Sequence, residues 1–137
     1  MDKDTFETLL NKPESELLDF KSQQYVFVNA VPYVKSELLK DILALSNSTA
    51  NGTAYILIGV NDSEGFPKEV VGIDETLDDS DIQQFINSKI NKPLKFLYYT
   101  FEYNGLRVGI IEIPHQEPPF YIIKDYGSLE RLRVYIR

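Results

Sequence analysis

The 137-residue sequence contains no cysteine and a single histidine, His115. The absence of cysteine excludes disulfide staples, thiolate catalysis and cysteine-based zinc sites. One histidine is too few for a His-rich metal site and leaves a Ser-His-Asp triad without support. It falls in the proline-flanked stretch Pro114–Pro119, where an exposed loop histidine is the simpler reading. None of the seven glycines begins a GxxxxGK[ST] phosphate loop. No hydrophobic run is long: the longest, Ala54–Val60, is far too short to cross a bilayer. The first residues, Met1-Asp2-Lys3-Asp4-Thr5, are acidic and polar, unlike a signal sequence. These features read as a soluble, cytoplasmic protein.

Positive charge is also scarce. The formal net charge is −7, which argues against a general nucleic-acid coat, since phosphate affinity comes from lysine and arginine. A local basic face, or an acidic site that reaches phosphate through a metal, stays open. The length fits one domain with a real core, and 43% hydrophobic with 26% charged residues is ordinary for a globular chain. No repeat, low-complexity tract or interdomain linker divides residues 1–137.

The pattern predicts an α+β fold, a mixed β-sheet with two main helices. Asp4–Leu10 reads as a short helix capped by Asp4 or Thr5. Leu17–Lys21 reads as a short strand, and Gln23–Tyr33 as a loop with at most one strand, its apolar stretch broken by Asn29 and Pro32. Ser36–Asn47 is expected to be helical, with Leu38, Ile42 and Leu45 on one face. Ala54–Val60, apolar without alternation, predicts a central strand covered on both sides. Asn61–Gly65 is a turn, with Val70 and Val71 as a hairpin partner. Ser80-Asp81-Ile82-Gln83 resembles a capping box opening a second helix that Pro93 stops. Phe96–Tyr103 and Leu106–Ile113 form a hairpin about Asn104-Gly105, a type I′ signal. Phe120–Ile123 and Leu129–Ile136 are expected to be further strands. The chain stops on the last of these without a polar turn, which reads as the N-terminal piece of a longer regulator.

Two sets of residues carry chemistry. Glu14, Asp19 and Lys21 lie about a short apolar segment, and Asp62 follows the central strand. Five residues separate Glu14 from Asp19, a spacing that neither a helix nor a straight strand converges. A bend near Glu14 would do so, with Asp19 and Lys21 side by side on one strand face. Acids of this kind hold Mg²⁺ or Mn²⁺, and a neighbouring lysine orients or deprotonates water. The plainer alternatives are a solvated Asp–Lys pair and ordinary turn chemistry at Asp62. In the last strand, Leu132, Val134 and Ile136 share one face, and Arg131, Arg133, Tyr135 and Arg137 the other. That second face either tracks a nucleic-acid backbone, with the tyrosine stacking on a base, or is a charged edge that discourages strand pairing.

The ordered set Glu14-Ser15…Asp19-Phe20-Lys21, Lys40-Asp41-Ile42-Leu43-Ala44-Leu45-Ser46-Asn47-Ser48, Ile56-Leu57-Ile58-Gly59-Val60-Asn61-Asp62, Val71-Gly72-Ile73, Ile111-Glu112-Ile113-Pro114 and Val134-Tyr135-Ile136-Arg137 resembles the Schlafen-type AlbA-like domain. That family was once described as a divergent AAA group. The resemblance implies an α+β domain that binds DNA or RNA, most often as a DNA-binding module of bacterial-type transcriptional regulators, in some cases with an ATP-binding label. In vertebrate Schlafens it implies a metal-dependent endoribonuclease acting on structured RNA, whose acids match Glu14, Asp19 and Asp62 by motif position and whose lysine matches Lys21. The expected role is a nucleic-acid-binding module; the alternatives are such a ribonuclease, using Mg²⁺ or Mn²⁺, and a nucleotide-binding domain. A binding module would need no cofactor. Pairing with a second copy, or with an attached C-terminal domain, would supply the cleft that one acidic lobe lacks.

Overall fold

The computed structural model describes residues 1–137. Seven elements follow in order: α1 (Lys3–Leu10), β1 (Leu18–Lys21), α2 (Pro32–Ser46), β2 (Ala54–Ile58), α3 (Asp79–Lys89), β3 (Leu97–Tyr103) and β4 (Leu106–Ile113). The four strands form one mixed sheet in the order β1-β2-β4-β3. β1 and β2 run parallel, with Asp19 opposite Ile56 and Lys21 opposite Ile58. The other pairs are antiparallel. A parallel pair needs a crossover, and α2 supplies it.

β2 is central, as its unbroken apolar run predicts. Ala54, Ile56 and Ile58 face one core, formed with α2, α3 and the segment around Phe120–Leu129. Leu57 faces a second, smaller core with Phe6, Leu9 and Leu10 of α1 and with Leu18 and Phe20 of β1. The sheet is thus a middle layer, with Tyr55 the one residue of β2 that is left half-buried. The strand stops two residues early, at Gly59. There φ is +99°, and a Cβ would lie 2.9 Å from the Gly72 carbonyl carbon. The two glycines let Val71 and Gly72 both donate to the Gly59 carbonyl, and Val60 then bridges Val70. The expected turn and hairpin partner are present in this form.

Helix starts differ from the sequence reading in each case. α1 is capped by Asp2, whose Oδ1 accepts from Thr5 N at 2.7 Å, rather than by Asp4 or Thr5. α2 begins at Pro32, not Ser36. Proline lacks the N–H that a first helical turn leaves unpaired, so it starts this helix instead of breaking it. α3 is capped by Asp78, which accepts from Asp81 N and from Ser80 Oγ. Ser80 supports the cap and does not form it. The hairpin turn is of the primed type, with φ of 50° at Asn104 and 79° at Gly105.

The two C-terminal strands are absent. Residues 120–123 and 129–136 make isolated bridges, Ile90 to Ile122 and Tyr126 to Leu129, and no ladder. Leu132 has φ of 63°, a left-handed value that ends extended pairing. The segment is docked instead by single bonds: Leu132 N to Ile122 O, and Asn47 Nδ2 to Tyr135 O. Leu132, Val134 and Ile136 point outward, 66%, 45% and 72% exposed, while Tyr135 packs on the larger core. No helix is long and apolar enough to cross a membrane.

Candidate functional site

The acids converge at one end of the β1–β2 pair. Residues 15–18 turn back tightly, Ser15 and Leu18 exchanging backbone hydrogen bonds at 3.0 and 3.4 Å. That turn is the bend the Glu14–Asp19 spacing calls for. It lays Glu14 along β1, where its Oε2 accepts from Phe20 N at 3.1 Å. Asp19 and Lys21 lie on the sheet face opposite Leu18 and Phe20. At the far end of β1, the Lys21 carbonyl accepts from both Gly59 N and Val60 N. This anchors the end of β2 and places Asp62 beside Glu14.

The side chains differ sharply in exposure. Asp19 is 4% exposed at its side chain, Glu14 29% and Asp62 43%. Three cations surround them. Lys21 Nζ lies 3.2 Å from Asp19 Oδ2 and 3.3 Å from Asp41 Oδ2. Arg137 Nη1 lies 3.2 Å from Asp19 Oδ1, and its Nη2 3.5 Å from Glu14 Oε2. Lys68 Nζ lies 3.4 Å from Asp62 Oδ1.

Protonation follows from this arrangement. Burial, then the Asp19 and Asp62 carboxylates, pushes the Glu14 carboxyl up from 4.5 to about 8. Burial alone would raise Asp19 too, but the Glu14 proton, Lys21 and Arg137 outweigh it and its pKa is lowered. At Asp62 the Glu14 proton, helped by Lys68, lowers the pKa against a small cost of burial. Burial disfavours the charged form of Lys21, yet Asp41 and Asp19 together raise its pKa. At neutral pH the trio therefore carries one shared proton and two charges, with Glu14 as the proton's main seat.

The residues match Mg²⁺ or Mn²⁺ in type but not in arrangement. Hard-cation sites use oxygen donors, and all three acids supply them. No group of three or more His, Cys, Asp or Glu side chains stands in metal-holding geometry, and the Arg137 guanidinium bridges Glu14 and Asp19.

The four residues grouped as a basic face separate. Arg131 and Arg133 are exposed. Tyr135 is turned inward, its hydroxyl accepting from Glu130 N at 2.9 Å. Arg137 leaves the set for the carboxylates. His115 is exposed in its loop, as expected.

Asp41 and Lys68 were missed by sequence reasoning. Asp41 accepts from the buried Tyr25 hydroxyl at 2.6 Å while pairing Lys21. Its signal is faint but real: it is the single acid within Leu38–Leu45 of α2, where Lys40 is the one other polar residue. Lys68, 9% exposed, donates to Ser63 O at 2.5 Å and lies over the Phe66 ring. Nothing local to its sequence marks it.

A three-helix, four-stranded mixed sheet with an acidic cluster at one strand end defines the class: a small α+β domain of AlbA-like architecture. The chain belongs to the Schlafen, AlbA_2 family, whose profile matches residues 14–137. Its fold is similar to that of the DIP2311 protein from Corynebacterium diphtheriae, with a TM-score of 0.56 at 18% identity over 89% of this chain. The chain spans 23% of that protein's length. It is also similar to the N-terminal domain of a Nitrosomonas europaea protein described as related to the ATP-dependent DNA helicase RecG. There the TM-score is 0.52 at 16% identity, over 91% of this chain and 86% of that one. No curated protein matches the sequence.

Proposed function

We propose that the chain is a nucleic-acid-binding module, of the DNA-binding kind found in transcriptional regulators. The observation that supports it most directly is a cationic cluster about Tyr135. Lys40 Nζ and the Arg133 guanidinium each lie 5.8 Å from the centre of that ring. Arg133 is 62% exposed at its side chain and pairs with Glu130, itself 70% exposed, at 3.3 Å. Such a surface pair is worth less than about 1 kcal/mol and yields readily to a phosphate. Arg131, two residues earlier, is exposed while its backbone N is fixed on Asp125 Oδ1 at 2.8 Å. The patch is positive on a chain whose net charge is −7. Family membership, and a fold like that of a helicase-related N-terminal domain, agree with this reading.

Fluorescence anisotropy with a labelled duplex DNA and a labelled structured RNA, across a salt series, tests it. The K40A/R131A/R133A triple variant is expected to bind more weakly, its salt dependence flattened by up to about three phosphate contacts. A slope identical to that of the unaltered chain would remove these residues from the interface.

A second reading, a metal-dependent endoribonuclease acting on structured RNA, is supported by the convergence of Glu14, Asp19 and Asp62 beside Lys21. In this reading Glu14, Asp19 and Asp62 would hold Mg²⁺ or Mn²⁺, which would supply charge stabilisation and an activated water, and Lys21 would orient that water. Cleavage of a structured RNA in Mn²⁺, lost in chelator and lost in Asp19→Asn, is the expected result. Cleavage that survives Asp19→Asn would dismiss this reading.

A further inference from the structure

Where the start of α2 meets α3, two lysines stand over aromatic rings. Lys35 Nζ lies 4.6 Å from the centre of the Phe27 ring and 4.4 Å from that of Phe85. Lys89 Nζ lies 4.7 Å from the centre of the Tyr126 ring and 5.9 Å from that of Phe85. The rings meet edge to face, Phe27 on Phe85 at 5.3 Å and Phe85 on Tyr126 at 5.5 Å. Neither lysine is in an ion pair; those pairs use Lys21, Lys68, Arg133 and Arg137. A surface cation–ring contact is weak, and an ammonium resting on a ring keeps N–H donors free for an anion.

The three rings form the floor of a furrow. A groove of about 420 Å³ is lined by Phe27, Val28, Lys35, Phe85 and Ser88. A second, of about 270 Å³, is lined by Ser88, Lys89, Ile123, Lys124 and Tyr126. Ser88 borders both, so one runs into the other. The floor is recessed: Phe85 is 8% exposed, while Val28 and Ile123 on the rims are 70% and 49% exposed. Two acids also border the furrow, and each is already engaged. Asp81 lies in the first turn of α3, where the helix end offsets its charge. Asp125 Oδ1 accepts from Arg131 N at 2.8 Å. That bond sets the Arg131 backbone at the edge of the furrow. The furrow therefore continues the exposed cationic surface of Arg131 and Arg133.

Lysines along a recessed aromatic floor suit a polyanion that carries flat, weakly polar groups. A single strand of nucleic acid has both, phosphates for Lys35, Lys89 and Lys124 and unpaired bases for the rings. Asn29, Gln84 and Ser88 add neutral donors and acceptors that a base edge can use. A continuous duplex keeps its bases inside and is too stiff to descend between Val28 and Ile123. We propose that this furrow binds an unpaired stretch of nucleic acid, so that the ligand of the module contains a single-stranded segment. This rests on the binding-module reading above and narrows it.

Fluorescence anisotropy of the 137-residue chain with a labelled oligothymidylate, and with a labelled DNA duplex of the same length, tests it across a salt series. The K35Q/K89Q double variant is expected to bind the oligothymidylate about tenfold more weakly, its salt dependence flattened by about two phosphate contacts. Its affinity for the duplex should stay within about twofold of the unaltered chain. Lys124→Gln should act in the same direction with a smaller loss. Circular dichroism of each variant confirms the fold. An unchanged affinity of the double variant for the oligothymidylate overturns the proposal, and so does an equal loss on single strand and duplex. Binding of polyglutamate that the double variant loses, while oligothymidylate binding stands, would give the furrow to an acidic protein partner instead. An unaltered chain that binds the duplex but not the oligothymidylate overturns this inference and leaves the binding-module reading intact; a chain that binds neither removes both.

Discussion

Asn47 and Phe120 exchange two hydrogen bonds. The Asn47 amide donates to the Phe120 carbonyl at 2.9 Å, and its oxygen accepts from Phe120 N at 2.7 Å. A side chain at the end of α2 thus acts as the strand partner that residues 120–123 lack. The same amide donates to Tyr135 O at 3.0 Å. Asn47→Ala would leave three backbone groups unpaired, two of them in buried bonds. Unfolding free energy is expected to fall by about 2–4 kcal/mol, at about 1 kcal/mol or more per orphaned group. Urea denaturation measures it, and a loss below half of that range would mean water replaces the amide.

Stability should depend on pH through Glu14. Its pKa rises from 4.5 to about 8 on folding, so the folded chain keeps a proton that the unfolded chain releases. That contribution is complete below about pH 4.5 and is lost as pH rises toward about 8. Asp19 and Asp62 have lowered values, so their contribution is present above their ordinary 3.8 and disappears as pH falls below it. The urea midpoint is expected to drop between about pH 5 and about pH 8, and Glu14→Gln should flatten that drop. A Glu14→Gln profile parallel to that of the unaltered chain would place the titration elsewhere.

Asp41 sets the position and charge of Lys21. Its Oδ2 is shared between the Tyr25 hydroxyl at 2.6 Å and Lys21 Nζ at 3.3 Å. Asp41→Asn retains a hydrogen-bond acceptor for Tyr25 but removes the charge. The Lys21 pKa, which Asp41 and Asp19 raise against burial, is therefore expected to fall, as read by NMR titration of its Cε resonance. Tyr25→Phe should lower stability by about 1–3 kcal/mol, because the half-buried Asp41 carboxylate loses a donor.

Gly59 tolerates no side chain. A Cβ there meets Gly72 backbone atoms at 2.9 to 3.1 Å, on a backbone with φ of +99°. Gly59→Ala is expected to cost at least about 2 kcal/mol, combining left-handed strain with the close approach. Gly65 has φ of +95° with nothing within 4 Å, so Gly65→Ala shows strain alone. Thermal melts of the two variants side by side separate the terms, and equal losses would rule out the Gly72 contact.

What the sequence made legible was whatever is encoded locally. The unbroken run Ala54–Val60 could only be a strand between two layers, and Asn104-Gly105 could only serve a primed turn. The meeting of Glu14 with Asp19 was readable as a need for a bend, which Ser15–Leu18 supplies. Partners contributed from far along the chain were not readable. Asp41 reaches Lys21 across the β1–α2 crossover, and Arg137 reaches Asp19 across almost the entire chain. The alternation at 131–137 showed which residues share a side but not whether a neighbouring strand exists to receive them. With Asn47 and Ile122 taking the backbone bonds, Tyr135 turned inward and the aliphatic residues outward.

Both margins of the sheet end in a carboxylate. On β1, Glu14 accepts from Phe20 N; on β3, Asp79 Oδ1 accepts from Tyr98 N at 2.7 Å. These are the outward-facing amides that an incoming strand would claim. An additional polypeptide would have to displace a side chain first and then find, beyond Tyr98, little more than the amides of Thr100 and Glu102 facing the same way. Such guarded edges oppose ribbon-like growth.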